Sequence, residues 1–175
     1  MRFRTDTRAQ DRDAAFRAFA GPLAAPLQRS AYLLCGDWHL AEDLVQETLA
    51  KTYLHWHRVQ NADNPDAYVR RILVNEARAR WRRHDAPVLR HTDAVPDEPA
   101  PSGTEDEVVR RAELLQALLR LPVRQRATVA LRYLDGLTER ETAAVLGCSE
   151  GTVKSQAARA LAALRQCLAR EESWA

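Results

Sequence analysis

The chain has 175 residues, and its 26 Lys and Arg against 24 Asp and Glu leave a formal charge of +2. Its 30 Ala and 22 Leu far outnumber its 12 Val and single Ile. Because strands favour β-branched residues and helices favour Ala and Leu, this composition predicts an all-α fold and argues against an all-β or doubly wound one. No apolar run approaches the ~20 residues that span a bilayer. The start is too polar for a signal peptide, so we expect a cytoplasmic protein without membrane insertion.

The sequence contains no pattern that predicts a cofactor, a metal site or catalysis. Six glycines without G-x-G-x-x-G spacing argue against a phosphate-binding loop. The three cysteines (Cys35, Cys148, Cys167) are widely spaced and odd in number, which supports neither a disulfide framework nor a zinc finger. The histidines show no H-E-x-x-H spacing, and no nucleophile–base constellation occurs. We therefore predict a protein that is not an enzyme.

In chain order, the first predicted helix is a short amphipathic segment at Asp11–Ala20, broken by Gly21-Pro22. A second helix follows it and ends at Cys35, before a glycine suited to a helix C-terminus. Asp37 is a predicted N-cap for a third helix that runs from Trp38 to about His57.

A fourth helix is predicted from Pro65 to about Arg83, because Asn64-Pro65 places a capping side chain before proline at the first helical position. The segment after it, residues 85–103, holds four of the eight prolines and a net charge of −3. Such composition is typical of a semi-extended linker with a reach of roughly 60 Å at ~3.1 Å per residue. We therefore predict two small helical domains, residues 1–84 and 105–175, joined by a flexible acidic linker at 85–104.

The second domain carries one start signal for each of its helices. Capping boxes begin at Thr104 and Thr138, Pro122 restarts the chain after the first helix, and Ser149 caps the last helix, which continues to about Arg170. The helix that follows Pro122 is predicted to end at Asp135-Gly136.

Residues 137–159 have the pattern of a helix-turn-helix, with a small residue at Ala143, a turn glycine at Gly147 and a buried position at Val153. In this motif the N-terminal part of the second helix enters the DNA major groove. The predicted DNA-facing residues are Ser149, Glu150, Thr152, Lys154, Ser155 and Arg159. An ordinary helical hairpin with a solvated charged face is the alternative interpretation.

Residues 67–84 hold six Arg against one Glu. At helical spacing Val69, Leu73, Ala77 and Trp81 form an apolar stripe, while Arg71, Asn75, Arg78 and Arg82 share another face. A basic face of this kind is the electrostatic footprint of a phosphate-backbone contact. Because 24 of the 26 basic residues are Arg, a general Arg bias is the alternative. Trp56 and Tyr68 are aromatic residues that could stack on unpaired bases or belong to the core.

A third segment, residues 41–51, places Asp43 and Glu47 one helical turn apart beside Gln46. The His partner of a carboxylate metal motif is missing there. Periodicity leaves two interpretations open, a solvated face and a partner-binding face.

Four segments carry a resemblance to a known family: Ala41-Glu-Asp-Leu-Val-Gln-Glu47, Asp66-Ala-Tyr-Val-Arg-Arg71, Leu121-Pro122 with Leu131-Arg-Tyr133, and Gly151-Thr-Val-Lys-Ser155. In this order, with a linker between the second and third, they resemble bacterial RNA polymerase sigma factors of the extracytoplasmic-function (group IV) class. Thr142 and Gln156 depart from the family pattern, which commonly has Ile or Leu and Arg at these positions.

The resemblance implies two sigma domains, region 2-like and region 4-like, and a role for each segment. The acidic helix would dock on the clamp of the polymerase's largest subunit through Asp43, Leu44, Gln46 and Glu47. The Arg-rich helix and the loop before it would bind the melted minus-ten element through Trp56, Asn61, Asn64, Tyr68, Arg71, Asn75, Arg78 and Arg82. The helix-turn-helix would bind the minus-thirty-five element as duplex, and an inhibitory anti-sigma factor is an implied partner.

Two functions follow from these patterns. The first is a sigma factor that directs core RNA polymerase to specific promoters and assists promoter melting. The second, motivated by residues 137–159 alone, is a stand-alone helix-turn-helix regulator, which usually dimerises on paired half-sites.

Overall fold

The computed structural model describes the backbone of residues 3–83 and 104–172, which is entirely helical apart from short connections. The predicted linker lies almost wholly outside the described residues. The helices are α1 (Phe3–Cys35), α2 (Trp38–Leu54), α3 (Trp56–Gln60), α4 (Pro65–Arg83), α5 (Glu105–Arg120), α6 (Val123–Val129), α7 (Glu139–Leu146) and α8 (Glu150–Glu172). Within these ranges no helix combines the length and apolar character that crossing a bilayer requires. The all-α prediction is confirmed.

Helices α1 to α4 form the first helical unit, in which α2 packs against both α1 and α4. The core of this unit consists of fully buried side chains from all four helices, including Leu27, Leu44, Val59, Val69 and Leu73. The apolar stripe predicted for α4 is buried at Val69, Leu73 and Ala77. The side chain of Trp81 lies outside the described residues.

The predicted break at Gly21-Pro22 is wrong, because α1 continues through Pro22 and Pro26 to Cys35. An internal proline costs a helix about 3 kcal/mol through the lost N–H bond and the ring clash. The two prolines together cost about 6 kcal/mol. Burial of Leu23 and Leu27 beside them offsets much of this cost, since each fully buried leucine contributes roughly 1.5–3 kcal/mol.

Helices α5 to α8 form the second unit, in which α5, α6 and α7 all pack on α8. The inward stripe predicted for α8 is buried at Val153, Ala157, Ala160 and Leu164. Helix α6 is followed without interruption by a π turn at Ala130–Leu134. The N–H of Asp135 closes this turn by donating to Ala130 O at 2.9 Å.

Four of the predicted N-caps accept a hydrogen bond from a backbone N–H in the first turn of their helices. The bonds are Leu40 N to Asp37 Oδ1 (2.9 Å), Ala67 N to Asn64 Oδ1 (2.9 Å), Glu141 N to Thr138 Oγ1 (3.2 Å) and Thr152 N to Ser149 Oγ (3.2 Å). Gly147 has a φ of +61° in the helix-turn-helix turn, the left-handed conformation for which glycine is suited. Local sequence signals therefore determine where these helices begin.

The two helical units contact each other. Helix α4 lies against α7, and α1 lies against α6 and the π turn. Arg126 is fully buried at this junction, where it donates from Nη1 to Leu119 O (2.6 Å) and from Nη2 across the junction to Leu34 O (3.4 Å). Burial lowers the pKa of its guanidinium. The sequence had left the mutual arrangement of the two units open.

Candidate nucleic-acid and partner interfaces

The N-terminal half of α8 presents the face that the sequence predicted. All six predicted DNA-facing residues are exposed: Ser149, Glu150, Thr152, Lys154, Ser155 and Arg159. The opposite side of the helix packs into the second unit through Val153. The helix therefore offers one polar face along its first three turns, as entry into a major groove requires.

The hydroxyl groups on this face are already engaged within the helix. Ser149 Oγ caps α8 and lies 2.9 Å from Thr152 Oγ1, and Ser155 Oγ donates to Thr152 O at 3.0 Å. Lys154 lies 3.4 Å from Glu139 of α7 in an exposed ion pair. Arg159 and Lys154 are the cations on this face, and an exposed pair of this kind is weak enough to be exchanged for a DNA contact.

The Arg-rich face of α4 is exposed in its middle part. Arg71 and Asn75 are exposed, while Tyr68 is half-buried against the core. The side chain of Arg82 lies outside the described residues. Arg71 and Asn75, four residues apart, present a guanidinium and an amide on one side of the helix.

The two ends of this face contact the second unit. Asn64 Nδ2 donates to Glu141 Oε1 of α7, and Arg78 Nη2 donates to the carbonyl oxygen of Leu146 at the end of α7. Hydrogen bonds from the Thr138 backbone, from the Thr138 hydroxyl and from Asn64 lower the pKa of Glu141. In this arrangement the side chains of Asn64 and Arg78 are therefore already hydrogen-bonded to α7.

Trp56 and Asn61, which the sequence assigned to the same DNA contact, are placed differently. The Trp56 ring is 6% exposed and packs against Phe16 and Phe19, with centroids 5.6 and 5.1 Å away. Trp56 therefore belongs to the core, which was the alternative to stacking on unpaired bases. We leave it out of the residues proposed to contact bases. Asn61 is exposed, and its Nδ2 donates to His57 O at 2.6 Å.

The acidic face of α2 is exposed at Asp43 and Gln46 and half-exposed at Glu47. Arg80 of α4 reaches it, with Nη2 3.1 Å from Glu47 Oε1 and 3.9 Å from Asp43 Oδ2. Leu44, predicted for the same contact, is completely buried in the first unit. Leu44 therefore supports the helix from inside and does not reach a partner's surface.

Sequence reasoning missed two residues on this acidic face, Leu40 and Glu42. Leu40 is 46% exposed, and Glu42 accepts a hydrogen bond from Trp38 Nε1 at 3.0 Å. The exposed leucine beside carboxylates gives the face an apolar contact point. Helical spacing could have found Glu42, because it lies one helical turn before Gln46.

A buried ion pair between the two units was also missed. Arg70 Nη2 donates to Asp135 Oδ1 at 3.1 Å, and Arg70 Nε lies 3.0 Å from Oδ2, close enough for an ion pair but outside hydrogen-bond alignment. The two residues are 65 positions apart, so no local pattern could predict the pair. Within the described residues no group of three or more His, Cys, Asp or Glu side chains could hold a metal ion.

Comparison with known proteins assigns both helical units. Residues 19–86 match the family Sigma-70 region 2, and residues 111–164 match Sigma-70, region 4. The chain is 40% identical over 140 residues to the RNA polymerase sigma-E factor of Streptomyces coelicolor, an alignment that covers 80% of this chain and 78% of that protein. It is 34% identical over 166 residues to the ECF RNA polymerase sigma factor SigL of Mycobacterium tuberculosis, covering 89% of each.

This chain is an extracytoplasmic-function (group IV) sigma factor. It therefore serves RNA polymerase in promoter recognition and transcription initiation, as a subunit without enzymatic activity of its own. A similar solved structure is the sigma factor RpoE in complex with the anti-sigma factor NepR from Bartonella quintana, with a TM-score of 0.68 and 29% identity over 87% of this chain and 97% of that one. The region 2 match argues against a stand-alone helix-turn-helix regulator, because such a protein has no use for the first unit.

Proposed function

We propose a division of labour between three surfaces of this sigma factor. Helix α8 contacts the minus-thirty-five element as duplex, helix α4 and the loop before it bind the melted minus-ten element, and the acidic face of α2 docks on the clamp of the polymerase's largest subunit. The three functional segments are residues 1–84, 85–104 and 105–175. The observation that carries the proposal is the one-sided exposure of α8, whose predicted polar face is solvent-accessible in full.

Duplex recognition by α8 rests on its two cations. Lys and Arg at the start of a recognition helix reach guanine edges or phosphates, and a bidentate contact discriminates between bases by ~1–3 kcal/mol. Lys154 must exchange Glu139 for DNA, which costs little because the pair is exposed. Ser149 contributes chiefly by capping the helix and thereby orienting its first turn.

Promoter melting follows from binding of displaced bases and needs no chemical step. Unpairing costs a few kcal/mol per flipped base, and contacts in the protein must offset this cost. Arg71 and Asn75 supply a charge for phosphate and an amide for a base edge, with Tyr68 beside them. Asn64, Arg78, Asn61 and Arg82 extend this face at its ends.

Docking on polymerase is assigned to Asp43, Gln46 and Glu47. Arg80 holds the carboxylate of Glu47, so that the face is ordered before a partner arrives. The similar sigma factor RpoE was solved in complex with the anti-sigma factor NepR, which supports an anti-sigma factor as a second partner of this chain. We therefore expect both interactions to occur in the cytoplasm, where RNA polymerase works.

Reconstitution tests the promoter assignment. The full chain is added to bacterial core RNA polymerase with genomic DNA of its own organism, and transcript starts are mapped. The wild-type chain is expected to direct initiation from a defined set of promoters that core alone does not use. Arg159→Ala should lower initiation from these promoters by roughly tenfold, the lower part of the range for one specific contact.

Arg165→Ala is the matched control, because Arg165 is another exposed arginine of α8 that lies beyond the predicted DNA face. Equal losses from the two substitutions would show that α8 acts by general charge and would refute the assignment.

A second experiment tests the minus-ten surface. Asn75→Ala should impair initiation on duplex promoters, and initiation should recover on templates with a pre-melted minus-ten region. The absence of this recovery would contradict a role in melting.

A further inference from the structure

Asp135 forms a buried polar junction between the two helical units. Its carboxylate side chain is 3% exposed and is bound by Arg70 of α4, whose side chain is 6% exposed. Ser30 of α1 donates from Oγ to Asp135 Oδ2 at 2.9 Å. A single residue of the second unit is thus held by two helices of the first.

The π turn places Asp135 in this position. A helix that ends with a hydrogen bond from residue i to residue i−5 has one residue more in its last turn, which redirects the following side chain. Asp135 N donates to Ala130 O in this way, and Leu137 N donates to Leu131 O at 3.0 Å. Gly136, with a φ of +68°, then turns the chain towards α7.

The same arrangement brings the two DNA-binding surfaces into contact. Arg78 of α4 donates to Leu146 O, and its Nη1 lies 3.8 Å from the position that a Cβ of Gly147 would occupy. The recognition helix begins only three residues later, at Glu150. The minus-ten surface and the minus-thirty-five surface are therefore immediate neighbours.

Such proximity is incompatible with one promoter bound at both elements. Elements centred 25 base pairs apart are separated by roughly 85 Å of B-DNA at 3.4 Å per base pair. We propose that Arg70, Asp135 and Ser30 form a latch that keeps the free sigma factor in a closed, inhibited arrangement, and that this latch opens when a promoter is bound. The proposal rests on the function assigned above to α4 and α8.

The chemistry of the latch suits a reversible contact. A buried ion pair gains strong Coulomb attraction but loses the hydration of both charges, so its net contribution is small, and both groups regain water on separation. The surrounding interface is incompletely filled, since a half-open cavity of about 550 Å³ lies between the units, lined by residues that include Val74 and Arg78 of α4 and Ala127 and Val153 of the second unit. Buried apolar side chains of both units form one continuous core, so the latch acts together with apolar packing. Loss of the Asp135 charge would leave Arg70 buried without this counter-charge, which is strongly unfavourable.

Small-angle X-ray scattering of the full chain tests the closed arrangement without polymerase or DNA. The wild-type chain should have a radius of gyration near 16 Å, the value for a compact chain of about this length. Asp135→Asn removes the charge and keeps the shape, and it should give a larger radius and an elongated distance distribution. Circular dichroism at 222 nm should show unchanged helix content.

Glu76→Gln is the matched control, because Glu76 pairs with Lys51 at 2.5 Å within the first unit. It should leave the radius unchanged. Arg70→Ala should open the chain as Asp135→Asn does, and the double substitution should open it no further, since partners in one interaction are not additive. An elongated wild-type chain, a compact Asp135→Asn variant or an additive double variant would overturn the latch.

Initiation assays test the inhibitory role separately. If the free chain is nine-tenths closed, an opened variant should reach half-maximal initiation at up to about tenfold lower concentration, because apparent affinity scales with the competent fraction. Expanded scattering with an unchanged concentration dependence would refute inhibition and leave the proposed function intact. A wild-type chain that never initiates with core polymerase would refute the proposed function and leave the scattering result standing.

Discussion

Thr142 of the helix-turn-helix unit carries an avoidable energetic cost, and Thr142→Val should remove it. The residue is completely buried on α7, and within the described residues its Oγ1 has no hydrogen-bond partner. A buried hydroxyl without a partner costs about 1–3 kcal/mol relative to water. Valine has nearly the same shape and a methyl group in place of the hydroxyl, so we expect a gain of about 1 kcal/mol or more.

The expected change in melting temperature depends on how the chain unfolds. A gain of 1 kcal/mol corresponds to about 4–8 °C if a unit of 60–100 residues melts independently, and to about 2–4 °C if some 150–250 residues melt together. Differential scanning calorimetry of the full chain measures the shift and counts the transitions. The result therefore also reports whether the two units unfold as one.

Thr128→Val is the matched control in the same unit. Thr128 is also completely buried, but its Oγ1 donates to Arg124 O at 2.8 Å. Removal of this bond should cost about 1 kcal/mol. A Thr142→Val variant that is no more stable than wild type, or that loses as much as Thr128→Val, would refute the view that the Thr142 hydroxyl is orphaned.

Three further predictions concern the DNA surface, the thiol and the capping box. Arg71→Ala should lower the salt dependence of promoter-complex formation by ~1 unit of slope or less if Arg71 contacts phosphate, measured as binding against log salt, and an unchanged slope would contradict that contact. Burial raises the pKa of the Cys35 thiol to about 11, so its reaction with a disulfide reagent at pH 8 should be much slower than that of a small free thiol in the same assay. The folded-state pKa of Glu141 is lowered, so the stability that this carboxylate contributes is present above about pH 4.5 and lost as the pH falls through the folded pKa. The difference in melting temperature between wild type and Glu141→Gln should therefore shrink from pH 7 to pH 3. A constant difference would exclude this linkage.

Much of this fold could be predicted because its signals are local. Asp37, Asn64, Thr138 and Ser149 each satisfy a backbone donor within three residues of themselves, so the sequence around each contains the whole interaction. The exposed face of α8 was predictable for a similar reason, since helical periodicity separates its buried stripe from its polar side.

The errors arose where distant packing decides the outcome. Proline is locally a helix breaker, yet α1 continues through Pro22 and Pro26, and the neighbouring Leu23 and Leu27 are buried. The family resemblance assigned Trp56 and Leu44 to contact surfaces, whereas both side chains are buried, Trp56 against Phe16 and Phe19 of α1. Arg70 and Arg71 are adjacent arginines, and the sequence does not show that they differ in environment. In the structure Arg70 pairs with Asp135, whereas Arg71 is exposed.

In the closed arrangement the three proposed surfaces differ in how far they are exposed. Asp43 and Gln46 on α2 and the polar face of α8 remain exposed, while Asn64 and Arg78 at the ends of the minus-ten surface are occupied by α7. A sigma factor in this state can therefore present its docking face to polymerase before its minus-ten surface is complete. Because separation of the units frees Asn64 and Arg78 together, any contact that draws α7 away from α4 also completes the surface for melting. In this scheme the ability to bind melted DNA depends on the distance between the two units, and the contacts of Asp135 with Arg70 and Ser30 add to the cost of changing it.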